Sequence, residues 1–250
     1  MWDKLFSWRG VAAIAVFAAV TLWLAIEGKL GFYIHPRYNV FTIVMSVIGV
    51  ALFVIAAVTA RPHDHDHAPA EPRRRRRIRL VDIASFTAVV ATLTALVILP
   101  PTTLSSATAA NRSANDVGVV SPADDIDESG AAEMFAALTV RDWAGLLLRN
   151  QSPAFYRGKP VDVIGIVTPS SDSPDVFLLT RFVVTCCAVD AQPVSVPVYQ
   201  PGWSESIAVD SWVRVQGGFQ PGPASLGSGQ LVVVPVEIVP EEVPREPYLF

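Results

Sequence analysis

The only cysteines of this 250-residue chain, Cys186 and Cys187, are adjacent. Four interpretations are open: a vicinal disulfide, a soft-metal site, a mixed disulfide with a partner, and two small side chains packed in a core. A vicinal disulfide would be strained, because consecutive Cα atoms lie only about 3.8 Å apart. Successive side chains of a strand point to opposite faces, so the pair can hold one ion only where a strand has ended. Thr185 before the pair and Ala188–Asp190 after it fit such an end, and Asp190 adds a carboxylate.

All histidines precede the cysteines in the chain: His35, His63, His65 and His67. The last three alternate with aspartates in a polar, proline-rich stretch and predict a site for zinc or another borderline cation, with a solvated loop as the alternative. The cysteine region itself offers two thiolates and carboxylates, too few for a closed zinc site. It could hold a low-coordinate soft ion, or zinc completed by a partner protein. A Ser-His or Cys-His dyad is absent there, so no enzymatic activity is predicted.

The first hundred residues are strongly apolar and raise the mean hydropathy of the chain to +0.40. Uncharged runs occupy Val11–Ile26, Val40–Ala60 and Ile83–Leu99. A membrane-spanning helix needs about 20 predominantly apolar residues. The sequence therefore predicts two transmembrane helices within residues 1–60 and a third within residues 80–100, with buried core helices as the alternative.

The loop over residues 61–79 carries seven arginines, namely Arg61, Arg73–Arg77 and Arg79. Cytoplasmic loops are enriched in Lys and Arg, so this loop and the N-terminus are expected inside and everything after Leu99 outside. The arginines would also contact anionic lipids. Residues 1–110 hold 11 Lys/Arg and 6 Asp/Glu, whereas residues 111–250 hold 8 and 17, which agrees with a basic inner and an acidic outer part. Cleavage after Ala109, as of a signal peptide, is the competing interpretation.

Residues 101–130 are rich in small and acidic residues and predict a flexible tether, followed by an extracytoplasmic domain over residues 131–250. Its first element should be a helix capped by Thr139, with Asp142 in its first turn, Trp143, Leu146 and Leu147 on its apolar face, and its end at Asn150. Five strands are then predicted: Pro160–Val167, Val176–Val184, Val194–Tyr199, Ser211–Phe219 and Gln230–Val239.

The glycines Gly165, Gly217 and Gly218 lie inside strands, where they let a strand bend round a corner. Five short strands with such bends predict a small barrel similar to the OB barrel. The fold class is therefore multi-domain α + β, with a three-helix transmembrane region, a tether and an all-β OB-like barrel led by one helix. Binding of nucleic acid is not expected, because the barrel region is acidic and phosphate binding needs a basic face.

Five blocks of residues resemble a bacterial family of small membrane proteins. They are Tyr33–Arg37, Asp142-Trp143, Arg181-Phe182, Thr185–Ala191 and Trp212–Gly217. Members of this family are typically encoded beside a large predicted permease and regarded as its second subunit. The resemblance covers both the membrane part and the β domain, and it implies a multi-pass protein of the bacterial plasma membrane with a polytopic permease as partner.

The function expected from these features is that of an accessory subunit of a permease complex. Its exported barrel would bind or gate a solute or a metal ion through the cysteine block. The binding residues predicted for it are Arg181, Cys186, Cys187, Asp190, His35 and Arg37, with Cys186, Cys187, His63, His65 and His67 as candidate metal ligands. The alternatives are a membrane-anchored, extracytoplasmic thiol redox protein and a purely structural assembly factor.

Overall fold

The computed structural model describes residues 9–59, 87, 91, 103–112, 114–115, 132–149, 152–223, 226 and 229–250. These residues fall into two compact units. The first contains two long helices, α1 (Arg9–Ile26) and α2 (Asn39–Thr59). The second contains Gly31–His35 and everything described from Thr103 onwards. The second unit holds the cysteine pair and is therefore the one that positions the candidate site.

One stretch of the described residues is long and apolar enough to cross a membrane. It runs from Pro36 to Ala56, has 21 residues and a hydropathy of 2.4, and is 6% buried. The prediction of three spanning helices is wrong for this part of the chain. Within α1, the apolar stretch Ala13–Ile26 is shorter than a span requires, because a rise of 1.5 Å per residue takes this stretch across roughly 21 Å of a hydrocarbon layer about 30 Å thick. Of the third predicted span, the structure describes only Thr87 and Ala91.

The second unit begins with short helices on the N-terminal side of its sheet. They are α3 (Ser106–Ala110), α4 (Ala132–Ala136), α5 (Val140–Leu148) and α6 (Pro153–Tyr156). The predicted cap of α5 is confirmed, since the Thr139 side chain accepts from the Asp142 amide and the Asp142 side chain accepts from the Thr139 amide. Only one helix was predicted before the sheet, and it is α5. The others were missed because helices of four or five residues carry too little periodicity to be recognised.

Six strands form one sheet: β1 (Val161–Pro169), β2 (Val176–Val183), β3 (Gln192–Tyr199), β4 (Trp212–Pro221), β5 (Leu231–Pro240) and β6 (Tyr248–Leu249). A short helix, α7 (Trp203–Ser206), lies between β3 and β4. The strand order is β1-β4-β5-β3-β2-β6, and β1 also pairs with β2. The first five strands therefore form a closed cycle of pairings, in which only β3 and β5 run parallel. The chain is a mixed α+β protein.

Two glycines allow the strands to approach each other closely. A Cβ at Gly165 would lie 2.8 Å from the carbonyl oxygen of Thr180, and one at Gly217 would lie 2.9 Å from the Cα of Pro235. The register of β4 against β5 shifts between Gln216 and Gly217. Glycine is therefore required at Gly165 and Gly217 by the close approach of the neighbouring strand, and the irregularity beside Gly217 agrees with the bulge expected there. At Gly218 an added Cβ would meet nothing closer than 3.7 Å, so the predicted need for glycine does not extend to that position.

Aromatic packing joins the helices to the interior of the sheet. The fully buried ring of Trp143 on α5 lies 5.0 Å from the ring of Phe219, and that of Tyr156 lies 5.1 Å from it. A second apolar cluster contains Phe182, Trp212 and Tyr248, and Leu104 and Ala109 pack against it. Residues near α3, within the stretch predicted to be a tether, thus lie on the same unit as the sheet.

Candidate functional site

The cysteine pair lies in the loop that follows β2. This strand ends at Val183, which confirms that the strand stops before the pair, and a 3-10 turn over Ala188–Asp190 leads into β3. Both thiols are free; Cys186 is exposed and Cys187 is half-buried. Their Sγ atoms are 3.5 Å apart, with the thiol of Cys186 donating to Cys187.

Asp190 holds this loop in shape through its carboxylate. Oδ1 accepts from the amide of Thr185 at 3.0 Å, and Oδ2 accepts from the amides of Cys186 at 2.7 Å and Cys187 at 3.4 Å. The Cys187 side chain in turn caps the backbone amide of Asp190. Three amides converge on one carboxylate. They hold the backbone from which both thiols project.

The carboxylate also sets the protonation of the exposed thiol. The pKa of Cys186 is raised to about 12, first by its hydrogen bond to Asp190 and then by its bond to Cys187. Partial burial acts to raise the pKa of Asp190, but the bonds from the Cys186 thiol and from the three amides outweigh it, so that its pKa is lowered. At neutral pH the site therefore holds an ionised carboxylate and a protonated Cys186.

The three side chains have the spacing of metal ligands. The ligand atoms of Cys186, Cys187 and Asp190 all lie within 4.8 Å of one another. Two sulfurs bound at about 2.3 Å to one tetrahedral zinc ion would be roughly 3.8 Å apart. The observed Sγ–Sγ separation of 3.5 Å is close to this value and far from the roughly 2.05 Å of a disulfide. A carboxylate has about four lone-pair sites, so the one that accepts from the thiol becomes available when a metal replaces the thiol proton.

A segment from the loop between α1 and α2 lies beside the cysteines. The His35 amide donates to the Cys186 carbonyl at 3.0 Å, and the Ala188 amide donates to the Tyr33 carbonyl at 2.8 Å. These bonds form an antiparallel bridge between Ile34 and Cys187. The expectation that every histidine lies apart from the cysteine domain is wrong, because backbone pairing brings Gly31–His35 into the second unit.

The remaining predicted site residues are divided between several places. The His35 ring packs on the Phe250 ring, with centroids 4.7 Å apart. Arg37 belongs to the first unit, where its guanidinium lies 4.9 Å from the centre of the Tyr38 ring. The candidate ligands His63, His65 and His67 lie outside the described residues.

Arg181 is placed to hold the C-terminal segment. Its guanidinium donates to the carbonyls of Pro247 at 3.1 Å, Glu246 at 2.9 Å and Ile164 at 3.4 Å, and it lies 5.3 Å from the ring of Trp212. Burial lowers the pKa of Arg181 to about 10, but three accepting carbonyls favour the charged form, which we take as the state of this side chain. These hydrogen-bond partners could not be predicted from the sequence, because they are main-chain atoms that every residue has.

Two cavities of about 460 and 270 Å³ lie elsewhere on the described surface, one beside Trp212 and one beside Tyr156. Neither is lined by the cysteines or Asp190. The hydroxyl of Tyr156 is buried without a partner among the described atoms, and this burial raises the pKa of Tyr156 to about 12.

Comparison with known families matches residues 10–115 to the DUF1980 N-terminal domain and residues 143–250 to the DUF1980 C-terminal domain. The chain belongs to the DUF1980 family. This is a bacterial family, in agreement with the resemblance noted from the sequence. No curated protein matches the chain. The cysteine loop lies in the DUF1980 C-terminal domain, whereas Gly31–His35, which pairs with that loop, comes from the DUF1980 N-terminal domain.

Proposed function

We propose that the second unit binds a soft or borderline metal ion, zinc above all, through Cys186, Cys187 and Asp190. The observation that carries this proposal is the placement of three ligand atoms within 4.8 Å of one another on one braced loop. Zinc prefers thiolate ligands and accepts a carboxylate, and such ligands must be held in place before the ion arrives. The amides that fix Asp190 supply that support.

The barrel suits the presentation of such a loop. Its closed cycle of five strands, with β3 parallel to β5, is the pattern that we assign to an OB-like barrel. Barrels of this kind bind ligands on connecting loops and on one face of the sheet. The acidic charge of residues 111–250, with 8 Lys/Arg against 17 Asp/Glu, favours a cation over a nucleic acid as the ligand.

We further propose that the chain is an accessory subunit of a permease complex in the bacterial plasma membrane. The stretch Pro36–Ala56 supports a membrane location, because it is apolar along its length and only 6% buried. A helix with an apolar surface on all sides needs lipid or another helix around it. In this proposal the extracytoplasmic barrel captures the metal ion and passes it to the polytopic partner.

The competing function is that of a membrane-anchored thiol redox protein. A redox cysteine attacks as a thiolate and so has a low pKa in an electropositive setting. The pKa of Cys186 is instead raised to about 12 beside an ionised carboxylate. This environment makes Cys186 a poor nucleophile at neutral pH, whereas a divalent cation would replace its proton.

The metal proposal is tested on the full chain, purified in mild detergent with a tag that contains no histidine. Cobalt(II) titration should give thiolate-to-metal charge-transfer absorption, and zinc should displace the cobalt. Cys186→Ser and Cys187→Ser should each lose this absorption, and the matched control Val189→Ala, at an exposed position of the same loop, should keep it. Retention of the absorption in both serine variants would refute metal binding at this loop.

The permease proposal needs a separate measurement. The tagged chain is purified from its native membrane in mild detergent, and co-purifying proteins are identified by mass spectrometry. A stoichiometric polytopic permease is expected for wild type and for Cys186→Ser alike, since the cysteine serves the cargo and the helices serve the assembly. Recovery of many thiol-linked proteins instead would favour the redox function.

A further inference from the structure

We propose that His35 completes the metal site, so that the ion is held by two thiolates, one carboxylate and one imidazole. This inference rests on the proposed metal binding at Cys186, Cys187 and Asp190. His35 would add a ligand from a distant part of the chain. A site with mixed sulfur, nitrogen and oxygen ligands favours zinc.

Backbone pairing brings His35 next to the cysteine loop. In the antiparallel bridge between Ile34 and Cys187, the residues directly opposite each other on the next rung are His35 and Cys186. The bond from the His35 amide to the Cys186 carbonyl, at 3.0 Å, shows this pairing directly. The amide of Cys186 donates to Asp190 and not back to His35. The pair therefore shares one main-chain bond, which places the His35 backbone beside the cysteine loop.

The imidazole of His35 is half-buried and packs against the ring of Phe250, with centroids 4.7 Å apart. Side chains occupy staggered rotamers and exchange between them rapidly when they are partly exposed. To reach the thiols the ring would have to change rotamer and give up its present contacts, of which the one with Phe250 is worth about 0.5–1.5 kcal/mol.

The cysteine loop is one ligand short of a closed zinc site. Cys186, Cys187 and Asp190 lie within five residues of the chain and supply three ligands, whereas zinc in a closed site takes four. A neutral imidazole adds a ligand without adding a fourth negative charge. Binding would release the two thiol protons to water, and His35 would bind as the neutral imidazole. The loop thus gains the nitrogen donor that the residues near the cysteines lack.

The chain has four histidines, and this makes a decisive experiment possible. In a full-length variant with His63, His65 and His67 replaced by alanine, His35 is the only imidazole. Zinc is bound to this variant in detergent, again without a histidine tag, and X-ray absorption at the zinc edge reports its ligands. We expect sulfur scattering together with the outer-shell scattering of one imidazole.

His35→Ala in the same background keeps the backbone bond to Cys186 and removes only the ring. It should lose the imidazole scattering, keep the sulfur scattering, and lower zinc affinity at least about tenfold, the scale on which even indirect partners of a metal act. His35→Gln, which keeps a polar side chain, should behave in the same way. Phe250→Leu removes one contact that competes with the metal for the ring, so it should bind zinc as tightly as the background or more tightly.

The outcomes separate this inference from the function on which it rests. Zinc held by sulfur with no imidazole signal, and with equal affinity in the presence and absence of His35, would overturn the role of His35 and leave the cysteine site standing. No zinc binding by the background variant or the wild-type chain would overturn both. Circular dichroism of each variant shows that a loss of affinity comes from the ligand and not from unfolding.

Discussion

The backbone amide of Cys186 donates to Oδ2 of Asp190 at 2.7 Å, so one carboxylate determines both the position and the protonation of the exposed thiol. Asp190→Asn should therefore have two opposite effects. It removes the carboxylate whose hydrogen bond, and to a smaller extent whose charge, raises the pKa of Cys186, so alkylation of Cys186 by iodoacetamide at neutral pH should become faster. It also removes a ligand and loosens the loop, so zinc affinity should fall about tenfold or more.

The pH dependence of alkylation checks the same relationship. Only the thiolate reacts, so the rate for wild-type Cys186 should still be rising well above the ordinary thiol pKa of 9.0, towards about 12. In Asp190→Asn the rise should level off nearer to 9.0. Site-resolved mass spectrometry measures both rates, and Asp172→Asn, on a different loop, is the control. Equal profiles for wild type and Asp190→Asn would contradict the role given to the carboxylate.

Gly217 and Gly218 are adjacent but should differ sharply in their tolerance of a methyl group. An added Cβ at Gly217 overlaps the carbonyl oxygen of Val234, whereas one at Gly218 has its nearest contact at 3.7 Å, the carbonyl oxygen of Lys159. We expect Gly217→Ala to lower the free energy of unfolding by about 1–3 kcal/mol and Gly218→Ala to change it little. Thermal unfolding of the full chain in detergent, followed by tryptophan fluorescence, compares the two. Similar midpoints would show that β4 and β5 can separate at this point.

Arg181 should prove to be a structural residue rather than a ligand-binding one. Arg181→Lys replaces a planar fork that reaches three carbonyls by a single ammonium, and it loses the stacking on Trp212. The amide of Val184, which donates to the carbonyl of Leu249 at 2.9 Å, should then exchange its hydrogen faster as β6 loosens. Zinc affinity should stay within about twofold, well below the change expected for a metal partner.

A matched control for Arg181 is available on the surface of the same sheet. Arg214 makes ion pairs with Asp162 at 3.1 Å and Glu241 at 3.5 Å. These three side chains are half-buried at the surface of the sheet. Arg214 lies on β4, which pairs with β1 and β5, whereas β6 pairs with β2, so Arg214→Lys should leave the exchange of the Val184 amide unchanged. A large loss of zinc affinity in Arg181→Lys with normal amide exchange would instead assign Arg181 to the metal site.

Tyr156→Phe should make the protein more resistant to alkali. The hydroxyl of Tyr156 is buried without a partner among the described atoms, and its pKa is raised from 10.0 to about 12. The unfolded chain therefore loses this proton at a lower pH than the folded chain, so the wild type loses stability between pH 10 and 12 and keeps it below pH 10. Tyr156→Phe should lack this loss. The difference between the unfolding midpoints of the two proteins should therefore widen in favour of phenylalanine over that pH range.

The parts of the fold that could be predicted from the sequence are those whose residue patterns run over many positions. The five strands of the closed cycle carry alternating or continuous apolar runs of eight to ten residues, and each was predicted within a few residues of its ends. The helix cap at Thr139 could be predicted from the sequence because its partner, Asp142, is only three residues away. In contrast, β6 has only two residues, Tyr248 and Leu249, and two residues show no period.

The candidate site was predictable only where its residues are close in sequence. Cys186, Cys187 and Asp190 were recognised as a group because they span five positions. The pairing of Ile34 with Cys187 was missed, since it uses backbone atoms that every residue other than proline possesses. No composition or spacing distinguishes a loop that will pair with a distant strand end from one that will not.

The bridge between Ile34 and Cys187 also bears on what the C-terminal domain would lose if it were produced alone. The segment Gly31–His35 lies in the range matched by the N-terminal domain, but it forms part of the compact unit that holds the cysteine loop. Without this segment, the Ala188 amide and the Cys186 carbonyl lose the main-chain partners that Tyr33 and His35 supply. A fragment cut at the boundary between the two matched domains would therefore leave one side of the cysteine loop open to water.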